Sequence, residues 1–335
     1  MVDLTTTELQ VTPPKKMHPA VEEFKSTAKL FLSNKLALVG GTITAIYFLI
    51  ALLDVVYPEY LGGGINGSNT FTIISLMPYG SISPATPGSS LVYPSLFPVS
   101  HYGFPAWWFF LGTTMYQVPI LPAMLIALKY DLSYSLFVVL IGGSLGIVVG
   151  VVAGYLGGIF DELLMRITDI FFSIPFIVLL IAWLFVVGNT SLLAVSEALV
   201  IIWWPIYARL VRGQALSTKA LNYVEAARAA GSSKFRNIFV HVLPNVLSPV
   251  YVQFSLDLGT IVLIFATLDF LSIVHLSYLP ELGALILGYG DGLGYLVSGY
   301  WWPAIIPGIF LLIFTVSINL MGDGLRDVLD PKLRK

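Results

Sequence analysis

The stretch Tyr223–Pro244, YVEAARAAGSSKFRNIFVHVLP, is a polar and basic interruption in a chain dominated by long apolar runs. Its apolar residues recur at helical spacing before Gly231 and again after it, so the stretch predicts two short helices joined at that glycine. Pro244 is expected to end the second short helix just before a membrane segment. A charged helical hairpin on one side of a membrane protein would offer a surface to a soluble partner.

The composition around this stretch indicates the class of the protein. Of the 335 residues, 57% are hydrophobic and only 11% are charged, which is too apolar for a soluble domain. Helices are favoured over a barrel because each apolar run approaches about 20 continuous residues. The predicted fold class is an all-α polytopic membrane protein with six transmembrane helices. The predicted spans are Leu36–Val56, Ser133–Ala153, Ile167–Val187, Leu192–Ala208, Val246–Leu268 and Trp301–Leu320.

The distribution of basic residues indicates the orientation in the membrane. Six spans put all 17 Lys and Arg residues on one side except Lys129. By the positive-inside rule, both termini are then cytoplasmic. A seventh span at Phe104–Leu128 would separate the N-terminal lysines from the later basic clusters, so it is rejected. The prolines of that segment suit an interfacial or re-entrant external element; they are Pro105, Pro119 and Pro122.

The same pattern divides the chain into parts. The external part is rich in Gly, Ser, Pro and Tyr and shows no clear periodicity, so it is expected to be loop-rich rather than a folded domain. The predicted parts are a cytoplasmic leader (1–35), a first transmembrane helix (36–57), the external region (58–130), a five-helix core (131–321) that includes a cytoplasmic loop (217–245), and a cytoplasmic tail (322–335).

Several kinds of chemistry are excluded by what the sequence lacks. The chain has no cysteine, and its four histidines show no metal-ligand spacing, so no metal site is expected. It has no GxxxxGK[ST] phosphate loop, so it cannot bind and hydrolyse ATP by that route, and it has no HExxH or GxSxG motif, so no enzyme activity is expected in this chain. No nucleic-acid partner is expected. If the protein moves a solute uphill, the energy must come from an ion gradient or a separate subunit, and the hairpin favours the subunit.

Three groups of residues resemble one known family. Glu225-Ala226-Ala227, Gly231 and Leu243-Pro244 resemble the EAA signature of ABC importer permeases. Gly154–Asp169, followed by Ile174-Pro175, resembles the GYxGGxxDExxMRxxD…P stretch of the dipeptide/oligopeptide permease family. The end of the chain, Asn319–Pro331, is similar to the NxxGDxLRDxLDP tail of its C-type subunit. The resemblance covers residues 112–335.

This resemblance implies a type-I ABC importer subunit in the cell membrane. Glu225, Ala226, Ala227, Gly231, Leu243 and Pro244 would form the ATPase-coupling element. The implied partners are a homologous second permease, two ABC ATPase subunits that bind ATP and Mg, and an extracellular or periplasmic solute-binding protein. This chain itself would carry no cofactor. The implied solutes are di- and oligopeptides, with oligosaccharides as the alternative.

The chain departs from the family pattern at its external side. Only Gly112-Thr113 remains of a GTDxxGRD-like segment, and Asp269–His275 replaces a more usual SFLGLG. An ion-driven secondary carrier or a membrane enzyme remains as a remote alternative. A carrier should show an inverted repeat and paired intramembrane charges, and neither is evident.

Two polar residues stand out in the fifth predicted span. Asp257 and Gln253 lie four residues apart, so they share one face of an otherwise apolar helix. Because intramembrane charge is costly, they either line a translocation path or make a buried hydrogen bond to the partner permease. Trp204 is a further candidate for the path. Asp169 is expected to pair locally with Arg166.

Overall fold

The computed structural model describes residues 28–56, 94–95, 109–114, 119–271, 273, 281–287, 297 and 299–329. Most of the predicted leader, much of the external region and residues 330–335 of the tail lie outside this description, as does Pro105. The elements are α1 (Lys35–Val56), α2 (Ile120–Leu156), α3 (Gly158–Ser173), α4 (Phe176–Val187), α5 (Leu192–Lys219), α6 (Asn222–Ala229), α7 (Lys234–Arg236), a π-helical segment (Asn237–Val242), α8 (Leu243–Phe270), α9 (Leu282–Leu287) and α10 (Trp302–Leu329).

The described part of the chain has the length and composition of a polytopic membrane protein. Five helical runs are long and apolar enough to cross a bilayer, namely α1, α2, α5, the run Lys234–Phe270 and α10. The pair α3 and α4 supplies a sixth crossing if the two helices count as one span. The predicted all-α membrane class is confirmed.

The third predicted span is not one continuous helix. Its two parts, α3 and α4, meet at an angle of 90°. Ile174 is extended, with φ −107° and ψ 131°, because the ring of Pro175 disfavours the helical conformation in the residue before it. At about 1.5 Å per residue the 12 residues of α4 reach only about 18 Å, less than the thickness of the hydrocarbon core.

The second span begins earlier than predicted. Helix α2 has 37 residues and starts at Ile120, so the external loop-rich region does not extend to residue 130. Pro119 and Pro122 lie at the start of this helix rather than in a loop, and their place in an interfacial element stays a prediction. Pro119 caps the helix and Pro122 lies in its first turn, where a missing N–H costs nothing because those amides have no partner within the helix.

The centre of the bundle is the close packing of α2 against α5. A Cβ atom added at Gly146 would lie 2.4 Å from the carbonyl oxygen of Trp204, and one at Gly150 would lie 2.5 Å from that of Ala208. Glycines four residues apart therefore let the two backbones approach directly, as in small-xxx-small membrane contacts. This contact fixes α5, which leads into the hairpin, against α2.

An ion pair joins the predicted external ends of α1 and α2. The Nζ atom of Lys129 lies 2.5 Å from Oδ2 of Asp54, whose side chain is 1% exposed. Lys129 is the basic residue that the predicted topology puts outside, and here it neutralises a buried carboxylate. The pair places the end of α1 and the start of α2 on the same side of the bundle.

Candidate functional site

As predicted, Gly231 separates two helices, and the first of them, α6, is short. Gly231 has φ +84°, a conformation that costs a non-glycine residue about 1–2 kcal/mol. Its N–H donates to the carbonyl of Arg228 at 3.0 Å, and the N–H of Ser232 donates to that of Ala227 at 3.0 Å. These two bonds form a Schellman motif that ends α6 and sets the direction of the return.

The second helix of the hairpin starts with a side-chain cap. The Oγ atom of Ser233 accepts the N–H of Arg236 at 3.3 Å, which satisfies an amide at the start of α7. Glu225, Ala226 and Gly231 are exposed and Ala227 is half-buried. The hairpin therefore presents a carboxylate beside small side chains on an ordered surface.

Pro244 does not end the second short helix, which corrects that prediction. The chain stays helical from Lys234 to Phe270 through the π-helical segment. Pro244 lacks the N–H that would donate to the carbonyl of Val240 in an α-helix. The N–H of the preceding residue, Leu243, donates instead to the carbonyl of Ile238, as in a π-helix. The wider turn accommodates the proline, so half-buried Leu243 and exposed Pro244 lie at the base of α8 and not on the hairpin.

Ion pairs between α3 and α5 fix the base of the hairpin. Both carboxylate oxygens of Asp161 accept hydrogen bonds from the guanidinium of Arg212. Arg209 donates to Asp169 at 2.6 Å, so the expected local pair of Asp169 with Arg166 is wrong. The sequence shows that these charged residues are present but not which of them pair, because the partners are 40 to 51 residues apart.

Asp257 lies in a polar cluster inside this chain. Its Oδ2 accepts from the hydroxyl of Tyr207 on α5 at 2.5 Å, and its Oδ1 accepts from Nε2 of Gln253 at 2.9 Å. Asp257 is only 4% exposed. The prediction that Asp257 and Gln253 share a face is confirmed. Their role in a translocation path stays a prediction, and the intramolecular bonds favour a structural role that joins α5 to α8.

Trp204 lies on α5 and contacts α3. Its ring meets Phe171 of α3 edge-on, with ring centroids 5.5 Å apart. The side chain is half-buried within this chain. Its place in a translocation path stays a prediction.

Three buried carboxyl groups near α9 were not anticipated as a group. Asp131 of α2 accepts the N–H of Leu282 through Oδ2 at 3.4 Å, and Glu281 accepts the N–H of Ala284 through Oε2 at 3.1 Å. Burial raises the pKa of Glu281 well above its usual range, and the neighbouring carboxyls of Asp131 and Asp269 raise it further. The group holds α9 between α2 and α8.

Comparison with known proteins gives the family. Residues 146–335, which include the hairpin and the Asp257 cluster, match the family of binding-protein-dependent transport system inner membrane components. The chain belongs to this family. Its predicted resemblance to ABC importer permeases is confirmed, and it is a multi-pass permease subunit of the cell membrane rather than a catalytic subunit.

Curated relatives of this permease carry names from peptide transport. A probable D,D-dipeptide transport system permease protein of Escherichia coli K12 is 39% identical over 68% of this chain and 74% of the relative. A dipeptide transport system permease protein of Alkalihalophilus pseudofirmus is 31% identical over 99% of this chain and 97% of the relative. A glutathione transport system permease protein of Pectobacterium atrosepticum is 34% identical over 67% and 73%.

Proposed function

We propose that this permease is one of two transmembrane subunits of an ATP-driven importer of di- and oligopeptides. The observation that carries the proposal is the full-length similarity to a dipeptide transport system permease protein, which covers 99% of this chain. Peptides would be delivered by an extracellular or periplasmic solute-binding protein. The oligosaccharide alternative is not favoured, because the relatives described above are named for dipeptides or glutathione.

The energy source in this proposal is a pair of ABC ATPase subunits. They would bind ATP and Mg and would dock on the exposed surface of α6, where Glu225 and Ala226 face outward. A homologous second permease would complete the path between the two membrane subunits. An ion-driven secondary carrier is not favoured, because the family belongs to binding-protein-dependent transport systems.

The hairpin can transmit force because both of its ends are fixed. Ala230 donates to the carbonyl of Ala226 at 2.9 Å, and the Schellman bonds at Gly231 complete the end of α6. Val224, which is fully buried, anchors α6 to the bundle. A rigid hairpin that contacts a moving ATPase transfers displacement to α5 and α8 instead of absorbing it.

The proposal is tested by reconstituting the complex in liposomes with its ATPases and binding protein. We expect ATP-dependent accumulation of labelled di- and tripeptides. Accumulation of labelled malto-oligosaccharides, with no uptake of any peptide, would contradict the proposed substrate class.

A matched pair of glycine variants tests the hairpin in the same assay. Gly231→Ala places a Cβ at positive φ and should weaken ATPase co-purification and uptake. Gly213→Ala is the control, since an added Cβ there meets open space. Equal uptake by the two variants would remove the turn from the mechanism.

A further inference from the structure

A cluster of hydrogen bonds joins the docking helix α6 to the base of α8. Tyr223 of α6 donates its hydroxyl hydrogen to the carbonyl of His241 at 3.3 Å. The side-chain amide of Asn245 donates to the Tyr223 hydroxyl at 2.9 Å and to the same carbonyl at 2.8 Å. Both amide hydrogens of Asn245 are thereby used, one on each partner. We call these three residues the α6–α8 clamp.

The clamp lies where the backbone of the helical run is least regular. His241 belongs to the π-helical segment, and Pro244 follows it after two residues. The Tyr223 ring also meets the His241 imidazole edge-on, with centroids 6.3 Å apart. Side-chain donors from α6 and α8 therefore converge on one carbonyl of a wide turn, which ties that turn to the docking helix.

Helix α8 continues from the clamp without a break to the buried polar cluster. Asn245 and Asp257 are 12 residues apart, or about 18 Å along a helix. Asp257 bonds in turn to Tyr207 on α5. A displacement of α6 at Tyr223 would thus reach the contact between α5 and α8 through one continuous helix, which contains Pro249 between the two sites.

We propose that Tyr223 and Asn245 are positioning residues that transmit motion from the ATPase-facing helix to α8. This inference rests on the proposed function, since it requires ATPase subunits that move α6. Without the clamp, α6 would remain attached by the chain and by buried Val224, but its displacement would no longer be imposed on α8 at the π-helical turn.

The test uses two variants that each remove the bond between Tyr223 and Asn245 together with one further bond of the clamp. Tyr223→Phe removes the hydroxyl and keeps the ring beside His241. Asn245→Ala removes both bonds of the side-chain amide and leaves the bond from the Tyr223 hydroxyl to the carbonyl of His241. Tyr251→Phe is the matched control, because Tyr251 is a half-exposed tyrosine on α8 outside the clamp.

The readout is the distance between spin labels in the complete complex with its ATPases, before and after addition of ATP and Mg. The chain has no cysteine, so labels can be placed at will. The distance between labels at Leu216→Cys and Ala229→Cys reports the movement of α6 relative to α5. The other pair, Leu193→Cys with Leu263→Cys, reports α8 against α5 at exposed positions.

The clamp predicts that the two pairs respond differently. In Tyr223→Phe and Asn245→Ala, the α6 pair should keep its ATP response while the α8 pair loses at least about half of its amplitude. The double variant should lose no more than Tyr223→Phe alone, because that change already removes both hydrogen bonds between α6 and the base of α8. The control should match the parent chain in both pairs.

Two results would overturn the inference and leave the proposed function intact. One is a full α8 response in Tyr223→Phe. The other is loss of ATPase co-purification in that variant, which would make Tyr223 a docking contact. If the parent chain itself recruits no ATPase, the proposed function fails and the clamp fails with it.

Discussion

The bond between Tyr207 and Asp257 is predicted to be structural, and substitutions at both positions test this. Tyr207 is fully buried, and its hydroxyl is 2.5 Å from the carboxylate of Asp257. Tyr207→Phe leaves the carboxylate with one donor fewer in a site that water does not reach. Hydrogen bonds to charged groups contribute about 1.5–3 kcal/mol, so we expect a loss of this size in stability.

Substitutions at Asp257 should differ according to what they leave unpaired. Asp257→Asn keeps an oxygen that accepts from the Tyr207 hydroxyl, and the side chain of Gln253 can turn so that its oxygen accepts from the new asparagine N–H. The expected loss of stability is therefore below about 1 kcal/mol. Asp257→Leu strands the Tyr207 hydroxyl and the Gln253 amide in the interior, at a cost of about 2–5 kcal/mol.

The assay combines thermal unfolding of the purified complex with peptide uptake by proteoliposomes. A structural role predicts the order Asp257→Asn, Tyr207→Phe, Asp257→Leu for increasing loss of stability, with the KM for peptides unchanged in the asparagine variant. The reasoning is refuted if Asp257→Asn unfolds like the parent complex but changes the KM for cationic peptides more than for neutral ones. That result would place Asp257 in the translocation path.

Three further predictions follow from the topology and from the ionisable groups. A cysteine at exposed Asn189, between α4 and α5, should react with an impermeant maleimide from outside, whereas a cysteine at Ser217 should not. Labelling of the cysteine at position 217 in intact cells would overturn the predicted orientation in the membrane. Arg212→Lys should lower the free energy of unfolding by about 1 kcal/mol, because lysine cannot make the paired bonds to the carboxylate of Asp161. Arg209→Lys replaces one exposed bond to Asp169 and should be close to neutral in thermal unfolding. Because the folded pKa of Glu281 is raised, its contribution to stability is complete below its ordinary value near 4.5 and is lost as pH rises through the raised value. Glu281→Gln should therefore flatten the pH dependence of unfolding between the ordinary and the raised value, and an unchanged slope there would show that Glu281 stays ionised.

The hairpin was the part of the candidate site that the sequence predicted best. Glycine at a helix end is a local signal, and Gly231 adopts the positive φ that the pattern required. The end of the second helix was predicted wrongly, because a proline can be accommodated by a wider turn that leaves no mark in the sequence. The polar stripe of Asp257 and Gln253 was visible for the same local reason, since both lie on one helix.

The sequence by itself determined the class of this protein, its spans within limits and the glycine turn of its hairpin, because hydropathy, charge and glycine act over a few neighbouring residues. The tertiary structure alone decided which charges and hydroxyls meet. Asp169 pairs with Arg209 and not with Arg166, and Asp257 pairs with Tyr207, 50 residues away. Such pairs depend on how closely helices approach one another. The packing of α2 on α5, where glycines leave room for the facing backbone, positions the helix that carries both Tyr207 and Arg209.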